Sequence, residues 1–152
     1  HAYTSSQGLV DVASRKRIRG RAAAVNLVPT STGADKVVTA VLPELAGKFC
    51  ALAVRAPIPD GGLTDMTVRL QQAVTEAQIN QCLADACQDK LKGVMDFTQQ
   101  EGVSSDIIGN PHSAIVHGLS TRVIGDRTVK IQVWYDNEYA YACRLLDLLE
   151  TL

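Results

Sequence analysis

Met66-Thr67-Val68-Arg69-Leu70-Gln71 puts an apolar side chain at every second position, and Val129-Lys130-Ile131-Gln132-Val133-Trp134 does the same. A period of two marks a strand with one face on a core and the other in water, and a wet face favours an antiparallel sheet. Between the two stretches the spacing changes. Thr75 followed by Gln78 is a capping-box signature, and Ile79, Cys82, Leu83 and Ala86 recur at i, i+3, i+4 and i+7. That spacing predicts a helix over 75–89 with Cys82 in its core face. Leu145, Leu146 and Leu149 repeat at helical spacing, so an amphipathic helix over 138–151 is expected to close the chain.

Outward from there, Leu52 and Val54 ahead of Pro57-Ile58-Pro59-Asp60-Gly61-Gly62 predict a strand and a turn, with further strands over 112–118, 121–125 and 128–135. Thr32-Gly33-Ala34-Asp35 opens a short helix over 31–42 that Pro43 halts, and residues 1–30 read as a long ordered loop ending at Pro29. Together these elements specify an α+β domain. The expectation is a mostly antiparallel sheet of about seven strands, helices on one face and a long C-terminal helix.

The 152 residues carry 15 Lys and Arg against 16 Asp and Glu, a net charge of −1, with 46% hydrophobic and 20% charged residues. This is the composition of one folded domain, without the one-sided field that draws a protein to nucleic acid or a membrane. No uninterrupted apolar run approaches the roughly 20 residues of a spanning helix. Arg15, Lys16, Arg17, Arg19 and Arg21 do cluster, yet no aromatic residue is interleaved to stack a base, so a solvated or acid-paired segment is the plainer reading. Cys50, Cys82, Cys87 and Cys143 form no C-x-x-C pair, which leaves neither a disulfide framework nor a metal site and suits reduced thiols in a cytosolic protein. The opening His1-Ala2-Tyr3-Thr4, with no initiator Met, leads us to expect a piece of a longer chain.

Dinucleotide-loop, P-loop, zinc-protease and nucleophile-elbow motifs are all missing from this sequence. What remains is a set of groups suited to an anion: Thr4, the Arg19/Arg21 pair, Thr30-Ser31-Thr32-Gly33 at a helix start, and Arg55 beside a proline turn. A helix start offers free N–H groups and a positive dipole end to a phosphate. It is equally what an ordinary N-cap looks like.

Taken in order, the segments resemble one family, the catalytic domain of phosphorylating glyceraldehyde-3-phosphate dehydrogenase. His1-Ala2-Tyr3-Thr4 is similar to its catalytic histidine motif, and Arg21-Ala22-Ala23-Ala24 through Pro29-Thr30-Ser31-Thr32-Gly33-Ala34 to the segment closing its S-shaped loop. Leu42-Pro43-Glu44-Leu45, Val54-Arg55-Ala56-Pro57-Ile58-Pro59, Val103-Ser104-Ser105-Asp106-Ile107, Pro111-His112-Ser113 and Trp134-Tyr135-Asp136-Asn137-Glu138 continue it over essentially the whole chain. The resemblance implies that residues 1–152 are the catalytic C-terminal domain without the dinucleotide-binding domain, and that 3–27 are the S-shaped interface loop. It implies oxidative phosphorylation of glyceraldehyde 3-phosphate with NAD or NADP and inorganic phosphate, in a cytoplasmic homotetramer, or a plastid one for a photosynthetic enzyme.

By the same resemblance His1 is the base that activates a cysteine thiol, Thr4 and Arg55 bind the substrate phosphate, and Thr32, Gly33 and Arg19 bind the attacking phosphate. Asn137 would fix the nicotinamide carboxamide, with the Tyr141 ring beside it or simply packed in the core. Asp11 is followed by Val12-Ala13-Ser14-Arg15, with Ala13 where NAD-restricted members commonly carry proline, which resembles members accepting NADP. Gly8 stands where Arg is usual and Tyr139 where Trp is common, while His112 and His117 have no catalytic counterpart. None of the four cysteines matches the nucleophile's motif, so the chain alone is expected to be inactive. Two other readings are an erythrose-4-phosphate dehydrogenase and a non-catalytic assembly module.

Overall fold

Residues Thr128–Tyr135 form the axis of the larger sheet in the computed structural model, which describes all of residues 1–152. The chain divides into two compact units, His1–Pro59 and Asp60–Leu152. In the first, β1 (Val28–Thr30) and β2 (Ala53–Arg55) pair antiparallel with Pro29 opposite Val54, and α1 (Ala34–Val41) lies between them in sequence. Short 3-10 turns at Arg17–Gly20 and Ala23–Val25 give the preceding loop its order. Gly20 is required there, because a Cβ would sit 2.4 Å from the Val12 carbonyl oxygen.

The second unit runs β3 (Gly62–Arg69), α2 (Glu76–Gln88), β4 (Met95–Thr98), β5 (Ala114–His117), β6 (Arg122–Ile124), β7 (Thr128–Tyr135) and α3 (Tyr139–Leu149). Its five-stranded sheet has the order β3-β7-β5-β4, with β6 also on β7. Both alternating stretches pair with each other, Met66 opposite Ile131 and Val68 opposite Val129. Val116 lies opposite Val133 and Phe97 opposite Val116, so the apolar faces coincide, and Val116 and Val129 are among the largest fully buried side chains. No helix is long and apolar enough to cross a membrane.

The α+β class, the antiparallel pairing and the closing helix are as the sequence indicated, but three details differ. The seven strands form a sheet of five and a sheet of two instead of one. β4 and β5 are parallel, joined by residues 99–113, a connection long enough for the crossover that parallel strands require and anchored by buried Ile107. Third, Cys82 is exposed and Cys87 is the buried cysteine. Helix α2 starts with the expected box, Gln78 N–H donating to Thr75 Oγ1 and Thr75 N–H to Gln78 Oε1. Its inner face is rotated by Asn80, which donates to the Gly118 carbonyl at 3.0 Å and accepts from Thr121 Oγ1 at 2.7 Å.

Candidate active site

Four of the residues singled out in the first unit are held around β2. The His1 backbone runs along its open edge, donating to the Val54 carbonyl (3.0 Å) and accepting from Ala56 N–H (2.9 Å). Tyr3 N–H donates to Ile58 O, so the His1–Thr4 segment lies beside the strand that carries Arg55. Arg55 Nη1 donates to Thr4 Oγ1 at 2.8 Å, joining residues 51 positions apart. The fourth is Arg19, whose Nε and Nη2 both donate to Thr30 Oγ1 on β1, the partner strand of β2.

Burial and the neighbouring charge of Arg19 together hold the Arg55 guanidinium below its ordinary pKa. Neither arginine forms a salt bridge, whereas Arg21 pairs with Asp11 at 3.3 Å. The first unit carries eight Lys and Arg against three Asp and Glu, a net of +5, and the second carries seven against thirteen, a net of −6. Two neighbouring guanidiniums without a carboxylate repel each other, and an anion between them relieves that repulsion with charge-assisted hydrogen bonds.

His1 has a defined tautomer. Its Nδ1 lies 2.7 Å from the Ala2 carbonyl oxygen, which can only accept, so Nδ1 carries the proton and the neutral ring keeps its lone pair on Nε2. A ring so held can take a proton at Nε2 and return it.

Thr32 and Gly33 stand at the start of α1, where Thr32 Oγ1 accepts from Ala34 N–H and Gly33 is the N-cap without a side-chain bond. A Cβ on Gly33 would meet nothing within 4 Å, so the chain itself does not demand glycine there. Ala13 is exposed in the loop and lines a concavity of about 460 Å³ with Asp11, Val12, Ser14 and Arg17. Thr30 and Asp11 have organising roles in this unit that their place in the sequence does not show. Thr30 is the anchor of Arg19, and Asp11 gathers both Arg21 Nε and Ala22 N–H.

Asn137 and Tyr141 belong to the second unit. Asn137 Oδ1 accepts from Gly61 N–H at 3.0 Å, a donor shared with Asp60 Oδ1 at 2.7 Å. Because an N–H can only donate, the amide is oriented, and its Nδ2 group makes no hydrogen bond within the chain. Asn137 therefore offers donors, which select a ligand carbonyl oxygen over a ligand N–H. Tyr141 is 63% exposed on α3, so of the two readings core packing within this unit is not its role.

Beside Asn137, Asp136 is 3% exposed. Burial pushes its carboxyl up, but the N–H groups of Gly109, Glu138 and Tyr139 outweigh that and hold it below the ordinary carboxylate range. A depressed carboxylate stabilises the fold above its unfolded pKa of about 3.9, and the contribution is lost as pH falls through the folded value. Urea midpoints between neutral pH and pH 2 should therefore fall in acid, and Asp136→Asn should remove about 1–3 kcal/mol at neutral pH and flatten that fall. Equal acid sensitivity in both proteins would assign the acid limb to other groups.

None of the cysteines stands as a nucleophile. Cys50 and Cys82 are exposed, Cys143 is half-buried, and burial together with the charge of Asp96 pushes the Cys87 thiol up, away from the reactive thiolate. His112 and His117 are tied locally, their Nδ1 atoms 2.9 Å from Asn110 Oδ1 and 2.6 Å from Ser120 Oγ.

The family profile described as glyceraldehyde 3-phosphate dehydrogenase, C-terminal domain, matches residues 1–137. The chain is similar to glyceraldehyde-3-phosphate dehydrogenase of Haloarcula vallismortis, 48% identical over 150 residues that cover 99% of this chain and 44% of the relative. It is 46% identical to that of Borreliella burgdorferi over 154 residues, 100% of this chain and 46% of the relative. Glyceraldehyde-3-phosphate dehydrogenase B of Aspergillus oryzae is also 46% identical, over 149 residues and 45% of its length. The chain thus spans less than half the length of the curated relatives it matches.

Proposed function

Because this chain belongs to the glyceraldehyde-3-phosphate dehydrogenase family, as its C-terminal domain, we propose that it is the catalytic half of an enzyme that oxidatively phosphorylates glyceraldehyde 3-phosphate. The observation that carries this reading is the Thr4–Arg55 contact, set beside Arg19, which has no carboxylate partner, in the positively charged unit. That arrangement suits a phosphate ester held by Arg55 and Thr4, and a second phosphate held by Arg19, Thr32 and Gly33. His1 takes the proton of a thiol at Nε2 and returns it as the acyl group is released to phosphate. The thiol comes from outside these 152 residues, and the isolated chain is inactive in this reading.

A nicotinamide cofactor fits the donor set of Asn137, whose Nδ2 is available to a carboxamide oxygen. When bound, it supplies the hydride acceptor. We place NAD and NADP both within its range, since Ala13 leaves the loop open where Ser14 and Arg15 offer a donor and a charge to a 2′-phosphate. We further propose a cytoplasmic homotetramer.

The test is steady-state kinetics of the complete enzyme. Glyceraldehyde 3-phosphate should turn over only with inorganic phosphate present, and more efficiently than erythrose 4-phosphate. The NADP efficiency should lie within about a thousandfold of that for NAD, or roughly 4 kcal/mol. Preference for erythrose 4-phosphate would move the protein to the sister activity. A larger NADP deficit would overturn the reading of Ala13.

A further inference from the structure

The β7–α3 junction holds a buried carboxylate that the proposed chemistry leaves unused. Asp136 Oδ1 accepts from Glu138 N–H at 2.8 Å and Tyr139 N–H at 2.7 Å, and Oδ2 accepts from Gly109 N–H at 2.8 Å. The first two bonds close an Asx turn around residue 137 and cap the start of α3, whose formal N-cap, Glu138, makes no side-chain bond. The third ties that turn to Gly109, a left-handed glycine (φ 79°) in the segment leading to β5. Asn137 thus sits at the tip of a turn fixed from two directions.

The acceptor side is equally constrained. Gly61 has φ 80°, and a Cβ there would lie 3.2 Å from Ile108 Cδ1 and 3.3 Å from Ile107 Cδ1. Its neighbour Gly62 lies opposite Tyr135, against whose ring a Cβ would sit at 2.4 Å. The left-handed φ of Gly61 and the Tyr135 ring over Gly62 both disfavour a side chain, and the Gly61 backbone nitrogen lies 3.0 Å from Asn137 Oδ1.

We propose that Asp136 is the positioning residue of Asn137: by pinning the 136–139 turn to Gly109 it keeps the Asn137 oxygen on Gly61 N–H, so that Nδ2 is presented as a fixed donor to the carbonyl of a carboxamide ligand. The identity of that ligand rests on the proposed function. The positioning itself does not, and a structural measurement separates the two. In the 152-residue chain, the 15N order parameter of the Asn137 side-chain amide should be near the rigid value of about 0.85 and drop below about 0.6 in Asp136→Ala, with the β3–β7 amides unchanged. Asp136→Asn, which keeps the size and one acceptor, should fall between, and it decides the matter if Asp136→Ala does not fold.

In the complete enzyme, Asp136→Asn should raise KM for NAD by about 3–10-fold with a smaller change in kcat, as expected when a pre-set donor loosens. An Asn137 amide equally rigid in either folded variant would overturn the proposal. If the amide loosens as stated but Asn137→Ala leaves KM for NAD unchanged, the positioning stands and the cofactor reading of Asn137 falls.

Discussion

Replacing His1 with alanine in the complete enzyme is expected to lower kcat by about 10²–10⁴-fold, the usual contribution of a positioned general acid–base. KM for the aldehyde should change far less, because the imidazole acts on protons in the transition state while Arg55 and Thr4 hold the substrate. The expectation rests on how the ring is held. Its Nδ1 proton is committed to the Ala2 carbonyl, and the His1 backbone is bonded to both Val54 and Ala56, so the ring is oriented by its own strand edge before substrate arrives. His1→Gln should behave much like alanine, since an amide can occupy the space but cannot carry the proton at neutral pH. A variant retaining kcat within about threefold would mean that another group does the proton transfer.

The sequence disclosed most where a local rule acts alone. Alternation at 66–71 and 129–134 depends only on one face being wet, and those strands pair in the register that the alternation requires. The box at Thr75 and Gln78 depends on residues three apart and forms as read. Where tertiary contacts decide, the pattern misleads. Cys82 fits an apolar template that skips Asn80, but Asn80 turns inward because Gly118 and Thr121 satisfy it there, and Cys87 is buried in place of Cys82. β4 is four residues long, too short for a period to register, and β1 carries Pro29, which reads as loop until Val54 lies opposite it.

The candidate site follows the same division. Residue types suited to an anion are visible in the sequence, but nothing local joins Thr4 to Arg55 across 51 positions. Their pairing was legible only through the ordered resemblance to a family. Asp136 gives no sequence signal beyond being an aspartate before a helix, since its Gly109 partner lies 27 residues away.

Arg55→Ala in the complete enzyme is the sharpest test of the phosphate reading. Efficiency on glyceraldehyde 3-phosphate should fall by about 2–5 kcal/mol, the range for truncating one partner of a desolvated charge pair. Unphosphorylated glyceraldehyde, which gives Arg55 nothing to bind, should be turned over almost as well as before. The size of the loss depends on Arg55 being partly withdrawn from water and held by Thr4 with Arg19 nearby, so that a bound phosphate meets a prepared donor in a positive field. Arg55→Lys keeps the charge but replaces the planar fork with a point donor, and should recover only part of the loss. Removing Arg55 gives up its bond to Thr4 but relieves its repulsion with Arg19, two opposed effects, so a melting temperature close to wild type separates lost recognition from lost structure. Equal losses on the phosphorylated and unphosphorylated aldehydes would show that Arg55 supports the fold of the site and does not recognise phosphate.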